Sequence, residues 1–352
     1  DIGVTGVQTC ALPISVVTPV DFQFSVFGDF ADQQGVLLPS SYITFQSTDL
    51  SVAGVSSSGL LHAVNNGTTT LTAASHGVQA ATAVTVGIPQ DRLGQYLYAL
   101  GLNAYPGAVT LSSNDGSRQM QVFAEADTTL SMDLTASTAG TRYFVNRPGV
   151  VTVSADGLIT AVAAGSATVT VINGPAESLI PIRVAAPVPS GVAVLGSAGG
   201  VVETADGSYV AVPPGDLLAD TTVSLTPALV TQLPQAVPDG FQFAAAFNLD
   251  VGDESLAVPL QLHVKVDPSI PVGATVYFYQ AGEYLNDDGT TRPIWWQVDS
   301  GEVGSDGLAH THSRPFPGIK DKSQYLVAYP TVDLGRLQLE AALTQQLALT
   351  LS

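Results

Sequence analysis

The feature that most constrains this chain is a repeat. Residues 55–72 (VSSSGLLHAVNNGTTTLT) align without gaps on residues 153–170 (VSADGLITAVAAGSATVT), with nine of eighteen positions identical at a constant offset of 98 residues. A fixed period of this kind means one supersecondary unit used twice. About 100 residues is the size of a single two-sheet β-sandwich, and the 352-residue chain has room for two or three such domains.

Within the repeated block the residue order reads as strand, turn, strand, turn, strand. Val55 and Val153 end a strand, and Leu60 and Leu158 begin the next. Between them Gly59 and Gly157 occupy a tight turn that calls for a positive φ, which glycine adopts without a Cβ penalty. Gly67 and Gly165 make the second turn. Thr70-Leu71-Thr72 and Thr168-Val169-Thr170-Val171 then alternate polar and apolar residues, as a half-buried strand does. Apolar residues at 45% with 34 Gly, 22 Pro and only 12% charged residues favour strands and turns over helices along the whole chain.

Charge excludes whole classes of partner. There are 30 acidic residues against 11 basic ones, a net charge of −19, and the only lysines are Lys265, Lys320 and Lys322. Nucleic acid requires clustered cations that release counterions, so no nucleic-acid partner is expected, and an anionic membrane surface is disfavoured on the same ground. No apolar run is long enough to span a membrane. The lone Cys10 precludes an internal disulfide framework and a thiolate metal cluster.

Residues 1–15 are set apart as a non-native leader. The string VTGVQTCALPI at residues 4–14 resembles the translation of a sequencing-library adapter. Such a segment is expected to pack on nothing, to leave Cys10 without a role, and to stand where a natural N-terminus with any signal peptide would begin.

The valine, SxxGL turn, xAV and GxxTxT pattern of the repeat resembles the group 2 bacterial immunoglobulin-like domain of intimin- and invasin-type adhesins. The stretch FQSTDLSVAGV at residues 45–55 is similar to that family's aromatic-led strand, and Tyr143-Phe144-Val145-Asn146 takes its place in the second copy. The resemblance implies structural or adhesive modules at residues 16–87 and 92–185, and it brings no catalytic residues.

After a proline-punctuated linker the pattern changes. Residues 199–225 read as three short strands separated by turns at Asp206-Gly207 and Pro214-Gly215, and strand patterns recur at 260–266, 275–279, 295–298 and 325–328. The GGVV and VAVPPGDL segments resemble the ZU-five domain, a β-sandwich of ankyrins and netrin receptors, with Asp216 where that family has alanine. This third sandwich is placed at residues 190–330. Residues 331–352 form a leucine-rich, weakly amphipathic tail that is expected to be helical and to continue beyond Ser352.

Some ZU-five domains cleave themselves at a His-aromatic-Ser or Thr triplet. The corresponding stretch is His310-Thr311-His312-Ser313, without the aromatic and without an evident base, so Ser313 reads as part of a polar loop. His310 and His312 alternate on a strand as a two-ligand pair, but a zinc site needs a third ligand and the sequence indicates none. Asn286-Asp287-Asp288-Gly289 and the stretch from Asp299 to Asp306 offer hard oxygens, which makes Asp287 and Asp288 the calcium candidates. The NDDG string is first a hairpin turn, however. Trp295 and Trp296 with Tyr277 and Tyr279 form a candidate sugar platform, although adjacent strand residues face opposite sides.

The chain is therefore expected to be all-β: tandem immunoglobulin-like sandwiches joined end to end and followed by a third sandwich. No catalytic residues and no cofactor are expected. The function this implies is a spacer and recognition region of a secreted or cell-surface bacterial protein. Its partners would be other domains of the same larger chain and a cell-surface glycan or protein. The competing readings are an accessory, glycan-binding region of a secreted carbohydrate-active enzyme and an autoprocessing domain.

Overall fold

A computed structural model describes residues 6–8, 13–16, 21–30, 32–88, 101–114, 116–125 and 131–331. The fold is all-β, as the alternation requires. Among the described residues the helical turns are the three-residue segments Ser40–Tyr42, Ser137–Ala139 and Val230–Gln232, and no helix is long and apolar enough to cross a membrane. The tail 332–352 and Cys10 lie outside the described residues. The chain divides into two compact units, Asp1–Ala186 and Pro187–Ser352.

The first unit holds both copies of the repeat, and each is built from the same sheets. In the first copy Ile14–Val16, Val78–Val86, Gly67–Ser75 and Thr44–Ser47 form a four-stranded sheet. Val109–Ser112, Ala176–Ala185, Gly165–Asn173 and Arg142–Val145 form its counterpart in the second. In both, the first of these strands pairs in parallel with the second, Ile14 opposite Val84 and Val109 opposite Ile182. Two three-stranded sheets complete each copy. Alternate residues turn inward, so Leu61, Leu71 and Val84 fill the first core, and Ile159, Val169 and Ile182 the second.

This arrangement corrects the leader. Gly6–Gln8 pairs antiparallel with Phe27–Asp29, as Asn103–Tyr105 pairs with Gln121–Glu125 in the second copy. Ile14 packs on the first core and Val16 is buried in it. Residues 6–8 and 14–16 are thus paired with strands of the first copy, against the expectation that the leader packs on nothing. An open sheet edge asks mainly for backbone N–H and C=O groups, so a short extended peptide meets its demands whatever its side chains.

The two copies also contact each other directly. Gln79 on Val78–Val86 donates its backbone N–H to the Asn146 carbonyl at 2.9 Å and its Nε2 to the Val145 carbonyl at 2.9 Å. Ala81 and Ala83 pack against Ile172 and Phe144 of the second copy. Glu177 reaches back, its Oε2 accepting from Thr82 Oγ1 at 3.1 Å and from the Ala83 N–H at 2.9 Å.

The described residues of the second unit form one continuous ten-stranded sheet. Its order is Val192–Leu195, Thr221–Pro227, Phe241–Asp250, Ser323–Pro330, Thr275–Leu285, Thr291–Val303, Leu308–Thr311, Gln261–Lys265, Tyr209–Val212 and Gly200–Glu203. The sheet curls so that its two edges meet at Gly191, which donates to the Glu203 carbonyl at 2.8 Å and accepts from the Leu225 N–H at 2.9 Å. Closing the edges protects backbone groups that would otherwise invite pairing with another chain. Val202, Val210, Leu262, Phe278, Phe247 and Tyr325 lie within the enclosed core.

Candidate functional site

In both copies the SxxGL turn is built identically. Ser56 Oγ and Ser154 Oγ each accept the N–H of the leucine four residues on, at 3.0 Å, while Gly59 and Gly157 sit at φ +82° and +83°. A Cβ on Gly59 would lie 3.0 Å from the Phe45 ring, and one on Gly157 would lie 2.8 Å from Tyr143 Oη. Gln23 and Gln119 clamp the same turn, their Nε2 atoms donating to the Ser58 carbonyl at 2.9 Å and the Asp156 carbonyl at 2.7 Å. These glutamines lie outside the aligned block, so the repeat did not reveal them. Gly67 and Gly165 share φ +152° and face Val52 and Val150. Gly59 and Gly157 lie in the turn itself, whereas Gly67 and Gly165 are the first residues of the strands Gly67–Ser75 and Gly165–Asn173.

A polar cleft of about 210 Å³ lies where the copies meet, lined by Thr48, Asp49, Thr69, Gly140, Arg142 and Ile172. The Asp49 carboxyl is held below its ordinary range by the Ser51 hydroxyl and amide.

In the second unit the sequence candidates separate. Asp287 and Asp288 occupy the exposed hairpin turn between Thr275–Leu285 and Thr291–Val303, closed by Asn286 N–H to the Thr290 carbonyl at 2.8 Å. The Asp288 carboxylate accepts from Thr290 Oγ1 at 2.6 Å and from the Thr290 N–H at 2.9 Å. Those bonds lower its pKa. Asp299 is not in a turn with Asp306: it lies in Thr291–Val303 and is wholly buried. Its Oδ1 accepts the N–H groups of Ser300 and Ser313, and its Oδ2 accepts the Ser313 hydroxyl at 2.9 Å. Ser313, expected in a polar loop, is likewise wholly buried and sits at φ +67°. The strand that carries Asp299 and the loop that carries Ser313 are separated by a turn and the strand Leu308–Thr311, so local pattern did not pair them.

The tryptophans divide as strand alternation requires. Trp295 joins Tyr277, Tyr279 and Phe241 in a small secondary core and donates Nε1 to the Ala236 carbonyl at 2.9 Å. Trp296 stays 48% exposed against Gly282. The four aromatics therefore do not form one platform.

Strand neighbours assemble a cluster that the sequence left scattered. Register places Glu203 opposite Tyr209, Tyr209 opposite His263, His263 opposite His310, and His310 opposite Glu302. Directly paired residues share a face, so these five side chains form one row across the sheet. The rings of Tyr209 and His263 stack at 4.2 Å and 15°, and those of His263 and His310 lie 4.0 Å apart at 40°. Burial, then the charges of Asp306 and Glu203, push the Tyr209 hydroxyl well above its ordinary pKa, so it stays protonated. Asp306, in the turn before Leu308–Thr311, meets His310 Nε2 with Oδ2 at 2.9 Å and Oδ1 at 3.1 Å. The partner of His310 is thus His263, not His312.

With this geometry in hand, comparison with known proteins adds a family for one region. Residues 109–179 match the bacterial Ig-like domain (group 2). The matched span is the second copy of the repeat, whose fold the first copy shares strand for strand. A search of curated proteins gave no match. Among solved structures, domains 5–6 of the S-layer protein SbsC align at 18% identity over 52% of this chain and 99% of theirs, with a TM-score of 0.22. The human protocadherin-24 EC1-2 fragment aligns at 12% identity over 51% of this chain and 99% of its own, with a TM-score of 0.18. The titin I-band fragment I67-I69 aligns at 9% identity over 84% and 99%, with a TM-score of 0.16.

Proposed function

We propose that the chain is a non-catalytic structural and adhesive spacer region of a bacterial secreted or cell-surface protein. The observation that carries this reading is the tandem repetition of a bacterial Ig-like domain, matched at residues 109–179 and repeated in fold by the preceding copy. The polar groups that the sequence singled out fit the same reading. The Ser313 hydroxyl is engaged by Asp299, and Asp288 is engaged by its own hairpin. Residues 190–330 are read as a ZU-five-like sandwich that extends the array. The partners are other domains of the same chain and a cell-surface glycan or protein.

A spacer must hold tension. In single-molecule pulling between the chain ends, each Ig-like copy is expected to unfold in one discrete step. The second copy, from Asn103 to Ala185, should release roughly 250–300 Å of chain, given at most about 3.6 Å per extended residue. Continuous lengthening without steps would overturn the mechanical reading. Ligand capture on a glycan array by a chain that yields at negligible force would favour the accessory role instead.

A further inference from the structure

We propose that His263, His310 and Asp306 form a binding site for a divalent transition metal, zinc being the best match, on the outer face of the Pro187–Ser352 unit. Their ligand atoms all lie within 4.8 Å of one another, each residue offering one imidazole nitrogen or carboxylate oxygen. Two imidazoles and one carboxylate are a donor set that zinc accepts at about 2.0–2.2 Å, with a fourth position left to water. Calcium prefers six to eight oxygens and is not served by imidazole.

Three features make the site built rather than fortuitous. His263 is 6% exposed and its ring is held between Tyr209 and His310, so its orientation is set before any ion arrives. Neighbouring strands fix the His263 and His310 backbones opposite each other, and the tight turn closed by Gly307 N–H to the Gly304 carbonyl at 3.0 Å presents Asp306. A Cβ on Gly304 would lie 2.6 Å from Asp306 Oδ1 and 2.9 Å from His310 Nε2, so glycine there keeps the approach open. Lys265, the nearby cation, donates to the Asp306 backbone carbonyl at 3.4 Å rather than to its carboxylate.

On binding, the metal lies between His310 Nε2 and the Asp306 carboxylate, the imidazole ligating in its neutral form with its one proton on Nδ1. Metal and protons compete for the same ligand atoms, so affinity falls toward acid. The ion would tie the strands Gln261–Lys265 and Leu308–Thr311 to the turn before the latter, adding a crosslink to the spacer unit.

The test uses the full chain, free of affinity tags and stripped with chelator, titrated with Zn²⁺ by calorimetry at pH 7.5 and pH 5. One equivalent is expected to bind at pH 7.5, with affinity lost at pH 5 and a raised unfolding temperature for the second unit. Co²⁺ should give the visible absorption of a four-coordinate site. His310→Ala and the exposed-site variant Asp306→Asn are each expected to weaken binding by about tenfold or more. His312→Ala and His62→Ala should leave it unchanged, the latter testing the exposed His62–Asp21 pair at 2.7 Å. No saturable binding by a folded chain would overturn the proposal. So would a site that survives both His310→Ala and Asp306→Asn, or one abolished by His62→Ala.

Discussion

At the scale of single residues, the two SxxGL turns act as internal controls for each other. Each glycine has a positive φ and an aromatic side chain where a Cβ would go. A β-branched residue there meets backbone strain of about 1–3 kcal/mol. Gly59→Val and Gly157→Val are therefore expected to destabilise their own copies by similar amounts, read by residue-resolved hydrogen exchange; a neutral substitution would refute the turn assignment. Ser313 makes a different prediction from the one its sequence surroundings invite. Its hydroxyl donates to the buried Asp299 carboxylate, which also accepts the N–H groups of Ser300 and Ser313. Ser313→Ala removes one donor and is expected to cost about 1–3 kcal/mol in denaturant unfolding. The intact mass of the unsubstituted protein should stay unchanged over days. Cleavage beside Ser313 would instead make this pair a nucleophile and its base.

At the scale of elements, the local alternation of the strands was legible and their neighbours were not. Residues 199–225 show their three strands through the Asp206-Gly207 and Pro214-Gly215 turns, and the glycines of both turns have positive φ. What brings His263 to His310 is the adjacency of Gln261–Lys265 and Leu308–Thr311, which are far apart in the chain. No spacing rule reports that adjacency, because pairing is chosen by the whole sheet. The long strand Phe241–Asp250 also escaped notice, since its AAAF centre is buried throughout and lacks the period-two signal of a half-buried strand. The leader shows the converse. Residues 6–8 and 14–16 were set aside for what they resemble, yet they occupy edge positions that the second copy fills with Asn103–Tyr105 and Val109–Ser112. Deleting residues 1–14 uncovers one edge of Val78–Val86 and removes Ile14 from the core. It is expected to destabilise the first copy by more than about 1 kcal/mol, measured by denaturant unfolding. An unchanged midpoint would return these residues to the status of a passive appendage.

At the scale of the whole molecule, repetition predicted two copies but not that they would share a face. The surfaces that join them, Ala81 and Ala83 against Phe144 and Ile172, are apolar positions that read as ordinary strand residues. Glu177 is the carboxyl that hydrogen-bonds across this junction. Burial raises the Glu177 carboxyl above its ordinary range, and the Ala83 N–H and Thr82 hydroxyl offset part of that rise by stabilising the ionised form. A carboxyl whose pKa is higher folded than unfolded binds more protons in the folded state, so its contribution is fully present below about pH 4.5 and is lost as pH rises through the raised value. Asp49, Asp156 and Asp267, whose pKa values are lowered by hydrogen bonds to neighbouring serines, act in the opposite sense and lose their contribution toward acid. The raw stability profile therefore mixes both signs, and the informative quantity is the difference between the protein and Glu177→Gln. The Gln carbonyl can accept both bonds without a buried charge. The variant is expected to match the unsubstituted protein near pH 4 and to gain on it as pH rises toward 7, read as the unfolding midpoint of the first unit. A difference that is flat with pH, or that grows toward acid, would mean that Glu177 is ionised at no cost and that the junction is wetter than its contacts imply.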